Sequence, residues 1–273
     1  MLNAFAEEKN SEALKCIVTK YASQTKTFCV PNYHAQDLNK PEHRLDDMLG
    51  GFPFTSETHP WPICQKSGLF MQPLVQLNLE KAGQLLGIDL ATGVLQVWAP
   101  VSNSIQDLSV DIDDFLMRII PANDMTDPMT SQQHDWRLNP SDKKPTVYHF
   151  MPGEDDMLAN HSRVSWRMPA QMFGSQYHLT SIAYDELGED CDDEFLELIE
   201  ELFEALDDSP LLCGNNVDYL GGMGGQKGGE YDAAYGDDLL LRMSDGNGFY
   251  FAIFWGRNRR NELSFFKNLA IRA

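Results

Sequence analysis

The chain has 273 residues and 42% apolar residues, enough for one large domain or two small ones with a proper core, and a formal charge of -20 that excludes a phosphate-backbone binder or an anionic-membrane binder. Its five cysteines (Cys16, Cys29, Cys64, Cys191, Cys213) are odd in number and form no CxxC pair, which fits a reducing compartment and requires neither a disulfide framework nor a metal. The N-terminus meets Glu7 and Glu8 before any signal-peptide core, and no run approaches the roughly 18 apolar residues of a membrane helix, so the expected location is the cytoplasm.

In chain order, Ala13, Leu14, Ile17, Val18 and Tyr21 recur at helical spacing after Ser11, which predicts a helix over 11–22 with Ser11 as its N-cap and an apolar stripe that docks on a sheet. A strand over 27–30 is expected to stop at Pro31, and the Pro- and turn-rich stretch from Asn32 to Pro62 to be mostly loop. Short strands follow at 74–79, 93–99, 115–120, 146–150 and 162–166. A helix is predicted from Asp192 to Leu206, with Phe195, Ile199, Leu202, Phe203 and Leu206 on one face and Glu197, Glu200, Glu201 and Glu204 on the other. Asp192 and Asp193 suit its N-terminal dipole, whereas Asp207 and Asp208 at the far end do not. A strand over 238–243, the turn Asp245-Gly246-Asn247-Gly248 and a strand over 249–255 then form a hairpin.

Chemistry-bearing patterns are sparse. The glycines from Gly221 to Gly229 match no phosphate loop, because Gly228 stands where Ser or Thr must follow Lys227. Seven histidines show neither H-x-H nor H-x-x-x-H spacing, and no Ser or Cys lies in a nucleophile motif, so no cofactor, metal or catalytic residue is assigned. Charge is what stands out: between Arg167 and Lys227 there is no Lys or Arg, while 14 Asp and Glu residues fall in the same stretch. An exposed acidic helix is ordinarily a solvated face, but one without i,i+4 partners carries self-repulsion that a basic partner would relieve.

One ordered pattern occurs twice. Leu49-Gly50-Gly51-Phe52, a strand over 74–79 and a strand from Gly93 to Trp98 are matched by Leu220-Gly221-Gly222-Met223, a strand over 239–243 and a strand from Gly248 to Trp255. The fold class expected is therefore α+β, one domain over 1–273 of predominantly antiparallel sheets from two duplicated halves, about 28–125 and 146–273, with flanking helices.

Asp47-Met48-Leu49-Gly50-Gly51-Phe52-Pro53-Phe54 with His59-Pro60-Trp61-Pro62, then Pro73-Leu74-Val75-Gln76-Leu77-Asn78-Leu79 and Gly93-Val94-Leu95-Gln96-Val97-Trp98, resembles the opening motifs of the bacterial YwqG-like family. Leu220-Gly221-Gly222, Leu239-Leu240-Leu241, Gly248-Phe249-Tyr250-Phe251-Ala252-Ile253 and Leu263-Ser264-Phe265 extend the resemblance to the C-terminus. The chain departs from that family at Met223 to Gly229 and in the short turn Ser244 to Asn247. The resemblance implies no enzymatic activity; members found beside polymorphic toxin genes are proposed as immunity proteins.

The expected function is thus a cytoplasmic immunity protein that binds a basic toxin domain, without nucleic acid, membrane or cofactor. The contact residues expected are Asp192, Asp193, Glu197, Glu200, Glu201, Glu204, Asp207 and Asp208, with loop-borne Trp61 and Trp136 as aromatic anchors. The alternative is a small-ligand binder or enzyme using the cleft between the halves, with Asp46, Asp47, Gln76, Asn78 and Asp238 as polar lining.

Overall fold

The structure, a computed structural model, describes residues 2–35, 44–50, 52–100, 115–127, 162–167, 169–174, 176–206, 218–223, 238–244, 250–255 and 263–268. The helices are α1 (Leu2–Glu8), α2 (Glu12–Ser23), α3 (Leu79–Leu86), α4 (Gln176–Leu187) and α5 (Asp193–Leu206). The strands are β1 (Lys26–Cys29), β2 (Pro31–Ala35), β3 (Met48–Leu49), β4 (Gln72–Asn78), β5 (Val94–Ala99), β6 (Leu116–Ile120), β7 (Ser162–Trp166), β8 (Ala170–Met172), β9 (Tyr219–Gly221), β10 (Asp238–Ser244), β11 (Tyr250–Trp255) and β12 (Leu263–Asn268). The class is α+β, as expected.

Two compact units divide the chain. One comprises Met1–Cys29, Met168–Arg242 and Ala252–Ser264, the other Val30–Arg167, Met243–Phe251 and Phe265–Ala273. The strands form two six-stranded sheets, ordered β8-β1-β9-β10-β11-β12 and β2-β7-β3-β4-β5-β6. In each, a strand carrying Leu-Gly (β9 or β3) is followed on one side by the next three strands in sequence, a meander. On its other side lie two strands drawn from β1, β2, β7 and β8, and the chain steps from one sheet to the other between β1 and β2 and again between β7 and β8. Registers agree at the start of the meander: Met48, after Asp47, lies opposite Gln76, and Tyr219, after Asp218, lies opposite Arg242.

The strand expected over 27–30 forms as β1 and ends before Pro31, but Pro31 then begins β2, which pairs with β7 from Pro31 opposite Trp166 to Ala35 opposite Ser162. A proline is tolerated there because β2 is outermost in its sheet and Pro31 is its first residue, where no ladder N–H is required. The expected loop over 32–62 therefore contains β2 and β3. Leu79 belongs to a helix rather than to the preceding strand, since the Asn78 side chain accepts a hydrogen bond from the Lys81 N–H and caps α3. Gly87, in the left-handed conformation at φ 69°, closes it. The strand expected over 146–150 and the turn 245–248 lie outside the described residues.

The stripe of α2 does form, with Ser11 accepting from the Leu14 N–H as N-cap. It docks on helices rather than on a sheet: Leu14, Ile17, Val18 and Tyr21 are buried in one cluster with Leu2 and Ala6 of α1, Leu179 and Ile182 of α4, and Ile199 and Leu202 of α5.

Between α3 and β5 the chain turns at Gly93, whose φ is 121° and whose carbonyl accepts from the Leu79 N–H. A Cβ there would lie 2.2 Å from the Ile120 carbonyl oxygen on β6. Neither the dihedral nor the space admits a side chain. Gly93→Ala is expected to destabilise the fold by at least about 2 kcal/mol, read as a lower urea midpoint at unchanged slope.

Candidate functional site

Helix α5 is amphipathic by sequence and by placement. Phe195, Ile199, Leu202 and Leu206, spaced three or four apart, are buried in the helical cluster. The Asp192 carboxylate accepts a 2.9 Å hydrogen bond from the Phe195 N–H, which places a negative charge on the first turn. Because the apolar stripe faces inward, the acidic residues face water: every Asp and Glu from Asp185 on α4 to Glu204 on α5 is exposed. Cys191, between the two helices, is buried, and burial together with the adjacent Asp192 raises its thiol pKa.

Among the described residues, two cations reach this face. Lys9, just past α1, pairs with Glu201, and Lys20 of α2 pairs with Glu186. The hydrogen bond to Glu186 holds the Lys20 ammonium above its ordinary pKa. Both partners lie more than 150 residues away in sequence, so pattern reading could not find them. Around them Glu197, Glu200, Glu201 and Glu204 remain neighbours at i,i+3 and i,i+4, where each like-charge pair costs roughly 0.2–0.5 kcal/mol.

Of the expected contact residues, Asp192, Asp193, Glu197, Glu200, Glu201 and Glu204 come together on this face. Asp207, Asp208 and Trp136 lie outside the described residues. Trp61 is a correction: it is only 6% exposed, donates its indole N–H to the Met71 carbonyl at 2.8 Å, and meets Trp98 edge-on with ring centroids 4.9 Å apart. The loop that carries it is packed into a core with Phe52, Cys64 and Met71, which leaves almost none of its ring for a partner to touch.

The polar residues of the alternative reading serve the backbone. Gln76, Gln96 and Arg118 stand side by side across β4, β5 and β6. Gln76 accepts from the Phe54 N–H and the Gln96 amide, and donates to the carbonyls of Arg44 and Asp46. Gln96 also donates to the Phe54 carbonyl and accepts from Arg118 at 2.9 Å. Arg118 donates to the Pro60 carbonyl and lies over the Trp98 ring; burial lowers its pKa to about 10. Asp47, 1% exposed, accepts from the Asn78 N–H at 2.6 Å and the Trp166 indole at 2.9 Å, with the Lys81 ammonium 3.5 Å away. Burial raises its pKa against those three donors. Asp46 pairs with Arg163, and Asp238 opens β10 in the other sheet. The buried members of this set, Gln76, Gln96 and Asp47, are taken up by these contacts, and the network pins Arg44, Phe54 and Pro60 onto their sheet.

Among the described residues no group of three His, Cys, Asp or Glu side chains converges on a point a metal would occupy, and no helix is long and apolar enough to cross a membrane. No family model matches the chain, and no curated protein matches it.

The acidic face is a stability cost. Replacing Glu200 and Glu204 together by Gln removes like-charge pairs without touching the apolar stripe, and is expected to raise stability by roughly 0.5–1 kcal/mol at low salt, read by urea unfolding, with the gain shrinking as salt is added.

Proposed function

We propose that this is a non-enzymatic binding protein, an immunity protein that neutralises a cognate toxin domain in the cytoplasm by covering it with the acidic face of α4 and α5. The single observation that carries the reading is that the carboxylates from Asp185 to Glu204 are all in water with two lysines against them. Such a field steers a basic partner and raises its association rate. It disfavours nucleic acid and anionic membrane for the same reason.

The resemblance to the YwqG-like family supplies the immunity role. The common strand order of the two sheets, with Asp47-Met48-Leu49-Gly50 and Asp218-Tyr219-Leu220-Gly221 at the same place in each, supports duplicated halves of that kind.

The test is capture of the tagged chain from its native host at low salt, followed by a growth-protection assay against whatever toxin domain is retained. Wild type is expected to hold a basic protein stoichiometrically and to protect. A variant carrying Glu197→Lys, Glu200→Lys, Glu201→Lys and Glu204→Lys is expected to fold, to lose capture and to protect at least about tenfold less well. Full protection by that variant removes α5 from the interface.

A further inference from the structure

His178 is the third residue of α4, in its first turn, and its surroundings are unusual for a histidine. A Cβ built on Gly174 would lie 2.8 Å from its Cδ2 and 3.0 Å from its Cγ, so glycine is what leaves room for the ring. Tyr21 of α2 faces the same ring with centroids 6.0 Å apart. The Tyr21 hydroxyl donates to the Gly174 carbonyl at 2.6 Å and its ring stacks on Phe173, so the turn between β8 and α4 is clamped onto α2 at this point. Within that clamp the Nε2 of His178 is shut off from solvent and has no hydrogen-bond partner among the described residues.

Groups that would stabilise a charge there are missing among the described residues. From α2 comes the Tyr21 phenol, already committed to Gly174, and behind it the apolar ring of Phe203 on α5. From β1 comes Lys26, a like charge. From α4 itself comes the positive end of the helix dipole, at whose first turn His178 sits. Burial, and after it Lys26, hold the imidazole below its ordinary pKa. Protonation would turn Nε2 into an ionised donor with nothing to donate to.

We infer that His178 is an acid-sensitive latch, which holds the start of α4 against α2 while neutral and releases that corner of the helical layer when protonated. Because the folded chain resists the proton and the unfolded chain takes it at the ordinary histidine value, the latch is fully closed above about pH 6.5 and its contribution is lost as pH falls from there toward the lower folded value.

The experiment is urea unfolding followed by helical circular dichroism between pH 8 and 5.5, for wild type, His178→Phe and Lys26→Met, with the His178 ring protons of wild type titrated by NMR. Relative to His178→Phe, the wild-type unfolding constant is expected to rise roughly three- to fivefold between pH 6.5 and 5.5, because an unfolded histidine already half-protonated at pH 6.5 limits one proton to about fivefold over that unit. Lys26→Met is expected to show a shallower rise than wild type, and the ring to titrate below its ordinary value. Identical pH profiles for wild type and the two variants, or a ring that titrates normally, overturn the latch. If His178→Phe does not fold, the Lys26→Met profile and the wild-type titration decide it alone.

Discussion

A chain segment that carries 14 carboxylates and no cation can fold only if nearly all of that charge stays in water. This constraint organises the helical layer. The stripe of Phe195, Ile199, Leu202 and Leu206 turns α5 inward on one side, and the companion helices α1, α2 and α4 supply the apolar surface that receives it. The opposite side then has no choice but to be acidic and solvated. Lys9 and Lys20, brought in from the other end of the chain, pair with Glu201 and Glu186 and so relieve two of the charges, while Glu197, Glu200 and Glu204 lie exposed beside them on α5. A helix optimised for stability would interleave Lys with those positions; the cost retained here is the physical ground for reading the face as a recognition surface.

The other unit solves its polar problem in the opposite way. Gln76, Gln96 and Asp47 are buried, and each finds partners inside the protein: the two glutamines on backbone groups of the segment that crosses the sheet, and Asp47 on the Asn78 N–H and the Trp166 indole. A buried polar network satisfied to this degree fixes a loop's path and leaves little for a ligand to bind. The loop around Trp61 can be rich in proline and still be core because its backbone groups are met in two ways: Gln76, Gln96 and Arg118 reach the backbone of Phe54 and Pro60, and a bridge between Ile63 and Phe70 pairs the rest of the loop with itself.

How much of this was legible depended on whether the signal was local. The α2 and α5 helices announce themselves through apolar spacing and through the caps at Ser11 and Asp192, and the meander strands through short apolar runs. Helix α4 does not, because Leu179, Ile182 and Ala183 are interleaved with Thr180, Ser181 and the half-exposed Tyr184, which blurs its periodicity. Helix α3 did carry readable signals, Asn78 before it and Gly87 after it, but the strand alternation running into Leu79 masked them. Trp61 was misplaced as an anchor because a Pro-rich loop reads as surface, and its burial depends on cross-strand register: Gln76, Gln96 and Arg118 align only once β4, β5 and β6 are paired. The acidic face itself was visible as composition, while its exposure and its two lysine partners required the fold.

The account stands on the acidic face acting as an electrostatic landing surface, and the ionic-strength dependence of association with the captured partner tests that most directly. Between about 50 and 500 mM salt, over which the screening length falls from roughly 14 to 4 Å, the association rate is predicted to drop by at least about tenfold while the dissociation rate changes little. An association rate that stays flat across that range would contradict the claim and leave the charge as solvation alone.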